Sequence, residues 1–193
     1  MKKKVLELRP TQFAIGVREV NQKTEKLKSL KSAELHEYLR ERAVPIVIWS
    51  KMDFIIDHHH LAFACFAAGV EEIFVEMKAD LSHLDEPKFW QHMKSLGWCH
   101  LFDQFGKPHE AKLLPEDVRG LADDPYRSLA WAVRHEGGYE KSGQLFSDFR
   151  WAEFLRKRVV IEHGDAGFAK AVKQGLALAK TPEARNLPGF DKA

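Results

Sequence analysis

The stretch FIIDHHHLA, residues 54–62, decides the fold of this chain, because it carries a short β-branched run straight into an apolar segment. One aspartate and three histidines separate the two. Leu61 to Ala68 is apolar at every position, and Gly69 stands where such a helix would end. A further β-branched run, Ile73–Met77, follows. The pattern predicts a strand, a sharp turn, a buried helix and another strand.

The segments before this stretch complete a small sheet. Val5–Leu8 and Val44–Trp49 have the composition of strands, and Lys51–Asp53 is short enough to join the second of them to Phe54–Ile56 as a hairpin. The charged stretch between residues 18 and 42 has the leucine spacing of two helices. The order β-α-α-β-β-α-β predicts an α/β (α+β) unit with a small mixed sheet.

The strand signal fades after residue 80. Four helical segments follow, and each begins at a residue typical of a helix start. These residues are Asp85, Asp124, Ser147 and Gly164. We therefore expect a core over residues 1–80 and a helical extension over residues 81–193 that packs on it.

The composition is that of a globular protein. Of 193 residues, 45% are apolar and 30% are charged, and the net charge of +2 gives no global argument for a nucleic-acid or membrane coat. No run approaches the roughly 20 apolar residues of a membrane span. The N-terminal MKKKVLEL lacks a secretory signal, and Cys65 and Cys99 do not make a disulfide framework. We expect a cytoplasmic protein that does not associate with membranes.

The histidine turn, Asp57–His60, carries the chemistry that the sequence suggests. The first N–H groups of a helix lack partners within the helix and attract anions, and imidazoles add donors that titrate near neutral pH. Asp57 is placed to cap the N–H of His59 or His60. Three interpretations stay open: a capped turn with local hydrogen bonds, a metal site, and an anion site. Consecutive side chains entering a helix diverge by about 100°, so we expect no metal site and favour the anion.

The turn and its flanking segments resemble the phosphate-binding core of the ParB–sulfiredoxin superfamily. Leu8–Gln12 resembles the first box of that superfamily, and Val44–Val47 resembles the strand before the turn. Asp124–Leu129 and Phe149–Trp151 resemble motifs of the ParB-like nuclease group. The resemblance implies a sulfiredoxin-like core with a helical extension.

The resemblance also implies roles for individual residues. His58 stands where sulfiredoxin has its catalytic cysteine, and Asp57 stands where many relatives have glycine. The free-serine kinases of the superfamily have a catalytic glutamate shortly after the first box. Glu19 is the carboxylate of this sequence that lies nearest to that position. The implied catalytic residues are His58, His59 and Glu19. The implied phosphate-binding residues are Asp57, His59, His60, Arg18 and Arg127.

We therefore expect a phosphate- or nucleotide-binding protein that acts as a nuclease or as a phosphotransferase. Mg²⁺ and a nucleotide are the cofactors that the resemblance implies, and DNA is a candidate partner. One alternative is a non-catalytic module that associates with DNA or a partner and is switched by a nucleotide. Another is a kinase of a free amino acid.

Overall fold

The computed structural model describes residues 1–191, and the chain divides into two compact units between Asp123 and Asp124. The first unit contains, in chain order, β1 (Lys2–Lys4), β2 (Leu8–Pro10), β3 (Ala14–Ile15), α1 (Val17–Ser29), α2 (Ser32–Arg40), β4 (Val44–Trp49), β5 (Met52–Ile55), α3 (His59–Ala67), β6 (Glu72–Asp80), α4 (Glu86–Ser95) and β7 (Ala122–Asp123). The second unit contains α5 (Pro125–His135), α6 (Ser147–Arg156) and α7 (Gly164–Ala179).

The first unit is built on a mixed five-stranded sheet with the order β1-β6-β4-β5-β2. Strands β4 and β6 are parallel, as are β2 and β5, whereas the β1–β6 and β4–β5 pairs are antiparallel. A separate pair of short parallel strands joins β3 to β7. The predicted mixed α/β fold is confirmed.

The hairpin between β4 and β5 turns earlier than the sequence predicts. Trp49 pairs with Met52, and the two residues between them, Ser50 and Lys51, have positive φ angles of 51° and 65°. Positive φ at both central residues is the geometry whose twist matches that of a hairpin. Met52 and Asp53 therefore belong to the strand, and the prediction of a Lys51–Asp53 connection is wrong.

The predicted first strand, Val5–Leu8, is also wrong. Residues 5–7 form a short 3-10 helix between β1 and β2. Val5 and Leu8 are both buried, while Leu6 is exposed. Residues three apart share one face of a 3-10 helix, so this turn buries both apolar side chains. A run of four residues is too short for its pattern to distinguish the two conformations.

Helix α3 lies in the main core of the first unit. It packs against α1 and against a short 3-10 helix, Val118–Gly120. Its hydrophobic residues Leu61, Ala62, Ala64 and Cys65 are buried, as the apolar sequence predicts. Because α3 begins directly after β5, this packing also fixes the position of the histidine turn.

The pattern change near residue 80 coincides with the end of β6, but the first compact unit continues to Asp123. Helix α4 explains the difference. Its Phe89 and Met93 are fully buried in a cluster with Val47 and Phe54 of the sheet, and the Phe89 ring stacks on Trp49 at 4.6 Å. Asp85 caps α4 by accepting from the Lys88 N–H, as the sequence predicts.

In the second unit α5 packs against α6 and against α7, and Trp151 of α6 lies in the core. The indole is fully buried, stacks on Tyr139 with ring centroids 3.9 Å apart, and donates to the Pro188 carbonyl at 2.7 Å. A Cβ at Gly175 of α7 would lie 2.5 Å from a methyl group of Val133 in α5, so only glycine permits this approach. In the described part of the chain, no helix has the length and apolarity needed to cross a membrane.

We predict that Trp151→Ala lowers the free energy of unfolding of the second unit by about 3–5 kcal/mol, because it leaves a cavity and removes the hydrogen bond to Pro188. Thermal and urea unfolding measure the loss. Val160→Ala is the control, since Val160 is 77% exposed, and its effect should stay within about 0.5 kcal/mol. Equal effects of the two substitutions would contradict the packing.

Candidate functional site

The histidine turn enters α3 through a left-handed residue. His58 has φ 64° and ψ 25° and stands at the N-cap, and the first intrahelical bond runs from the Ala62 N–H to the His58 carbonyl. A left-handed residue other than glycine costs about 1–2 kcal/mol. Strained backbone conformations, such as this one at a helix N-terminus, recur at binding sites.

The sequence predicts that Asp57 caps the helix, and this prediction is wrong. Its Oδ1 accepts from the N–H of the next residue, His58, at 2.6 Å, rather than from the N–H of His59 or His60. The left-handed conformation of His58 turns the chain between the carboxylate and the helix, so the expected cap is replaced by a contact within the turn. Asp57 itself is exposed.

The imidazole of His59 is buried and bonded to the segment that follows β2. Its Nε2 accepts the Thr11 N–H at 3.0 Å, and the Thr11 hydroxyl donates to the Ile55 carbonyl at 2.6 Å. His59 is 5% exposed. Because Nε2 is the acceptor, the neutral ring carries its hydrogen on Nδ1. This contact ties β2, β5 and α3 together at one point.

The imidazole of His60 makes the matching contact at the start of α1. Its Nε2 accepts the Gly16 N–H at 3.0 Å and lies 3.6 Å from Oε2 of Glu19. Lys23 holds the other oxygen of that carboxylate at 3.2 Å. The side chains of His60 and Glu19 are each 13% exposed. The structure therefore brings the first turns of α1 and α3 together, with a carboxylate beside an imidazole.

Two buried polar atoms, on residues adjacent in sequence to Thr11 and His59, have no hydrogen-bond partner within residues 1–191. They are Nδ1 of His58 and Nε2 of Gln12, whose side chain is 5% exposed. Each residue is the chain neighbour of a partner in the Thr11–His59 bond. Buried polar groups in native proteins are nearly always bonded, so these two atoms point to a ligand or to solvent at the turn.

The remaining predicted residues are placed differently. Arg18 is exposed on the first turn of α1, next to Glu19. Arg127 belongs to the second unit, where it is buried and its guanidinium lies 3.5 Å from the centroid of the Phe149 ring. The resemblance placed Thr11 and Gln12 in the first box, but neither of them nor Gly16 was predicted to contact the histidines. No local pattern shows the Thr11–His59 and Gly16–His60 contacts, because more than 40 residues separate the partners.

The donor set does not favour a resident metal ion. Among the described residues there is no group of three His, Cys, Asp or Glu side chains that could hold one. The Glu19 carboxylate forms an ion pair with Lys23. The Nε2 atoms of His59 and His60 already accept hydrogen bonds from backbone N–H groups. These residues therefore do not fit a protein-held Mg²⁺ site.

The thiols of both cysteines are held in the protonated form, which is unreactive. Burial raises the pKa of the Cys65 thiol, which lies within α3, to about 12. Burial likewise raises the pKa of Cys99 to about 11, although Lys94 opposes it. The active form of a cysteine is the thiolate, which burial disfavours here. Neither cysteine replaces the catalytic cysteine of a sulfiredoxin.

These features define a class of protein: a mixed α/β core in which a strand leads through a histidine turn into a buried helix. The chain belongs to the family described as "putative ParB-like nuclease", whose model matches residues 1–157. The protein Atu1540 from Agrobacterium tumefaciens, known from a crystal structure, is 36% identical, with a TM-score of 0.91. The match covers 99% of this chain and 95% of that one. No curated protein matches.

We predict that His59→Leu lowers the free energy of unfolding of the first unit by about 1–3 kcal/mol, because it leaves the buried Thr11 N–H without its acceptor. Urea unfolding measures the change. His83→Leu is the matched control, since His83 is exposed. If both variants unfold alike, the Thr11 N–H does not depend on His59.

We predict that a small alkylating reagent labels neither Cys65 nor Cys99 in the folded protein at about pH 8. A pKa of about 12 leaves about one Cys65 thiol in ten thousand ionised at that pH. Mass spectrometry before and after denaturation measures the labelling. Rapid modification of the native protein at Cys65 would contradict the burial of α3.

Proposed function

We propose that this protein binds the phosphate of a nucleotide or of a nucleic acid at the first turn of α3 and acts on it. The observation that carries the proposal is the meeting of two helix N-termini, where His60 bonds to Gly16 and lies 3.6 Å from Glu19. Helix N-termini carry partial positive charge, and two of them together favour an anion more than either does alone.

The contacts assign different roles to the three histidines. His59 is buried and its Nε2 is engaged, so it positions the turn. His58 has a buried Nδ1 without a hydrogen-bond partner among the described residues, and we assign a phosphate oxygen as the acceptor of its N–H. His60 holds the start of α1 by accepting the Gly16 N–H, and Glu19 of the same turn lies 3.6 Å from its ring. Arg18 is exposed on the same turn as Glu19, and its role in the proposal is to attract the approaching anion.

Phosphodiester cleavage is the reaction that this arrangement and the family favour. Glu19 takes the proton from an attacking water, whose oxygen forms the new bond to phosphorus. The bond from phosphorus to the leaving oxygen breaks, and protonated His58 supplies the proton that this oxygen takes up. The N–H groups at the start of α3 stabilise the charge that builds on the phosphate.

The proposal gives Mg²⁺ no site held by the protein alone and gives Arg127 no role at the turn. Mg²⁺ is bound in many phosphate sites mainly by substrate oxygens and water, and the residues here supply no cage of their own. Arg127 lies in the second unit over Phe149, and no role at the turn is assigned to it. Asp57, which accepts from the His58 N–H, shapes the turn.

We predict that Glu19→Gln lowers the rate of phosphodiester cleavage by at least about a hundredfold, because the general base is lost while its shape is kept. The assay incubates the protein with single- and double-stranded DNA and with nucleoside triphosphates, in Mg²⁺ and in chelator. Glu25→Gln is the matched control on the same helix, since Glu25 is exposed and pairs with Lys28.

The products separate the alternatives. Cleaved DNA that disappears in Glu19→Gln supports the nuclease, and a phosphorylated amino acid supports the kinase. Tight binding of nucleotide or DNA with no product from the wild-type chain supports the non-catalytic module. Cleavage that survives in Glu19→Gln would overturn the role given to Glu19. Phosphate-induced NMR shifts of the His59 to Ala62 amides test the binding step apart from catalysis.

A further inference from the structure

A cleft of about 700 Å³ opens in the first unit, away from the histidine turn. Its walls come from Phe13, which precedes β3, from the loop over residues 103–109, and from residues 113–122. Gly120 sets one wall, because a Cβ there would lie 2.7 Å from the Pro115 Cβ. None of Asp57 to His60 belongs to its lining.

One polar group of the cleft is an imidazole held by a carboxylate. The Oδ2 of Asp103 lies 2.9 Å from Nε2 of His109, and its Oδ1 accepts the N–H groups of Phe105 and Lys107, each at 2.9 Å. Burial raises the pKa of Asp103, but these hydrogen bonds outweigh it and hold the pKa below its usual value. The carboxylate thus takes a hydrogen from Nε2, which leaves Nδ1 of the neutral ring as an acceptor.

The net charge of the groups that line the cleft is negative. Three carboxylates line it, from Asp103, Glu116 and Asp117, against one guanidinium. That guanidinium, Arg119, is already neutralised by Asp117 through contacts of 2.9 and 2.7 Å. Glu116 is exposed and makes no ion pair or hydrogen bond within residues 1–191. With a neutral imidazole, the lining carries two net negative charges.

The apolar part of the lining suits an organic body attached to a cation. Phe13, Leu113 and Pro115 all face the space, and the Phe13 ring lies 5.4 Å from the His109 ring. An aromatic face attracts a cation as well as an apolar group. A polyanion such as a nucleic acid is disfavoured by the carboxylates, so this cleft is chemically different from the phosphate site proposed at α3.

We propose that the cleft binds a small organic ammonium compound. Its N–H groups donate to the Glu116 carboxylate and to Nδ1 of His109, and its hydrocarbon part packs on Phe13 and Leu113. The proposal does not depend on phosphate binding or cleavage at the histidine turn. It assigns a ligand to residues that the proposed reaction does not use.

The test titrates the full chain with phenethylammonium chloride and follows binding by calorimetry and by amide NMR shifts. We expect saturable binding, with the shifts concentrated at Phe13, Glu116 and Gly120. Phenethyl alcohol and phenylacetate, which share the ring without the positive charge, should bind at least about tenfold more weakly, since a charge-assisted hydrogen bond is lost.

Two variants locate the contact. Glu116→Gln should weaken binding of phenethylammonium by about three- to tenfold, and His109→Phe, which keeps a ring beside Phe13, should also weaken it. Glu136→Gln is the control, because Glu136 is exposed and lies outside the lining. Circular dichroism verifies that each variant folds. Absence of saturable binding, equal binding of the alcohol, or equal effects of Glu116→Gln and Glu136→Gln would each overturn the proposal.

Discussion

The first unit depends on two imidazoles that accept backbone N–H groups. His59 takes the N–H of Thr11 and His60 takes the N–H of Gly16, so consecutive residues of one helix hold the two ends of a six-residue segment. Each bond lies at a buried or half-buried position, where an unmet N–H costs about 1–3 kcal/mol. This clamp joins β2, α1 and α3, and the proposed phosphate site is built around it.

The same clamp explains why the turn departs from a simple capped helix. If both rings must point back to the segment after β2, the chain has to enter α3 at a particular angle. His58 supplies that angle by adopting a left-handed conformation, and Asp57 then reaches only the His58 N–H. The strain at His58 is therefore the cost of directing its two neighbours. It also leaves Nδ1 of His58 buried beside the clamp, without a hydrogen-bond partner among the described residues.

The sequence was sufficient for the elements whose pattern is local. Strand β4 and the buried helix α3 follow from apolar runs bounded by turn residues, and α4 and α5 follow from an aspartate before a proline-containing first turn. It was insufficient where conformation depends on distant partners. The left-handed His58 and the partners Thr11 and Gly16 are fixed by contacts across more than 40 residues, which no window of sequence displays.

The segment held by the clamp also reaches the second proposed site. Phe13 lies between Thr11 and Gly16; its carbonyl accepts the Ala122 N–H, and its ring lines the acidic cleft. A side chain whose backbone is fixed on both sides cannot shift far without breaking a buried bond. The clamp therefore holds the aromatic wall of the cleft in place as well as the turn at α3. The two proposed sites thus share one segment, whose ends are held by the bonds from Thr11 to His59 and from Gly16 to His60.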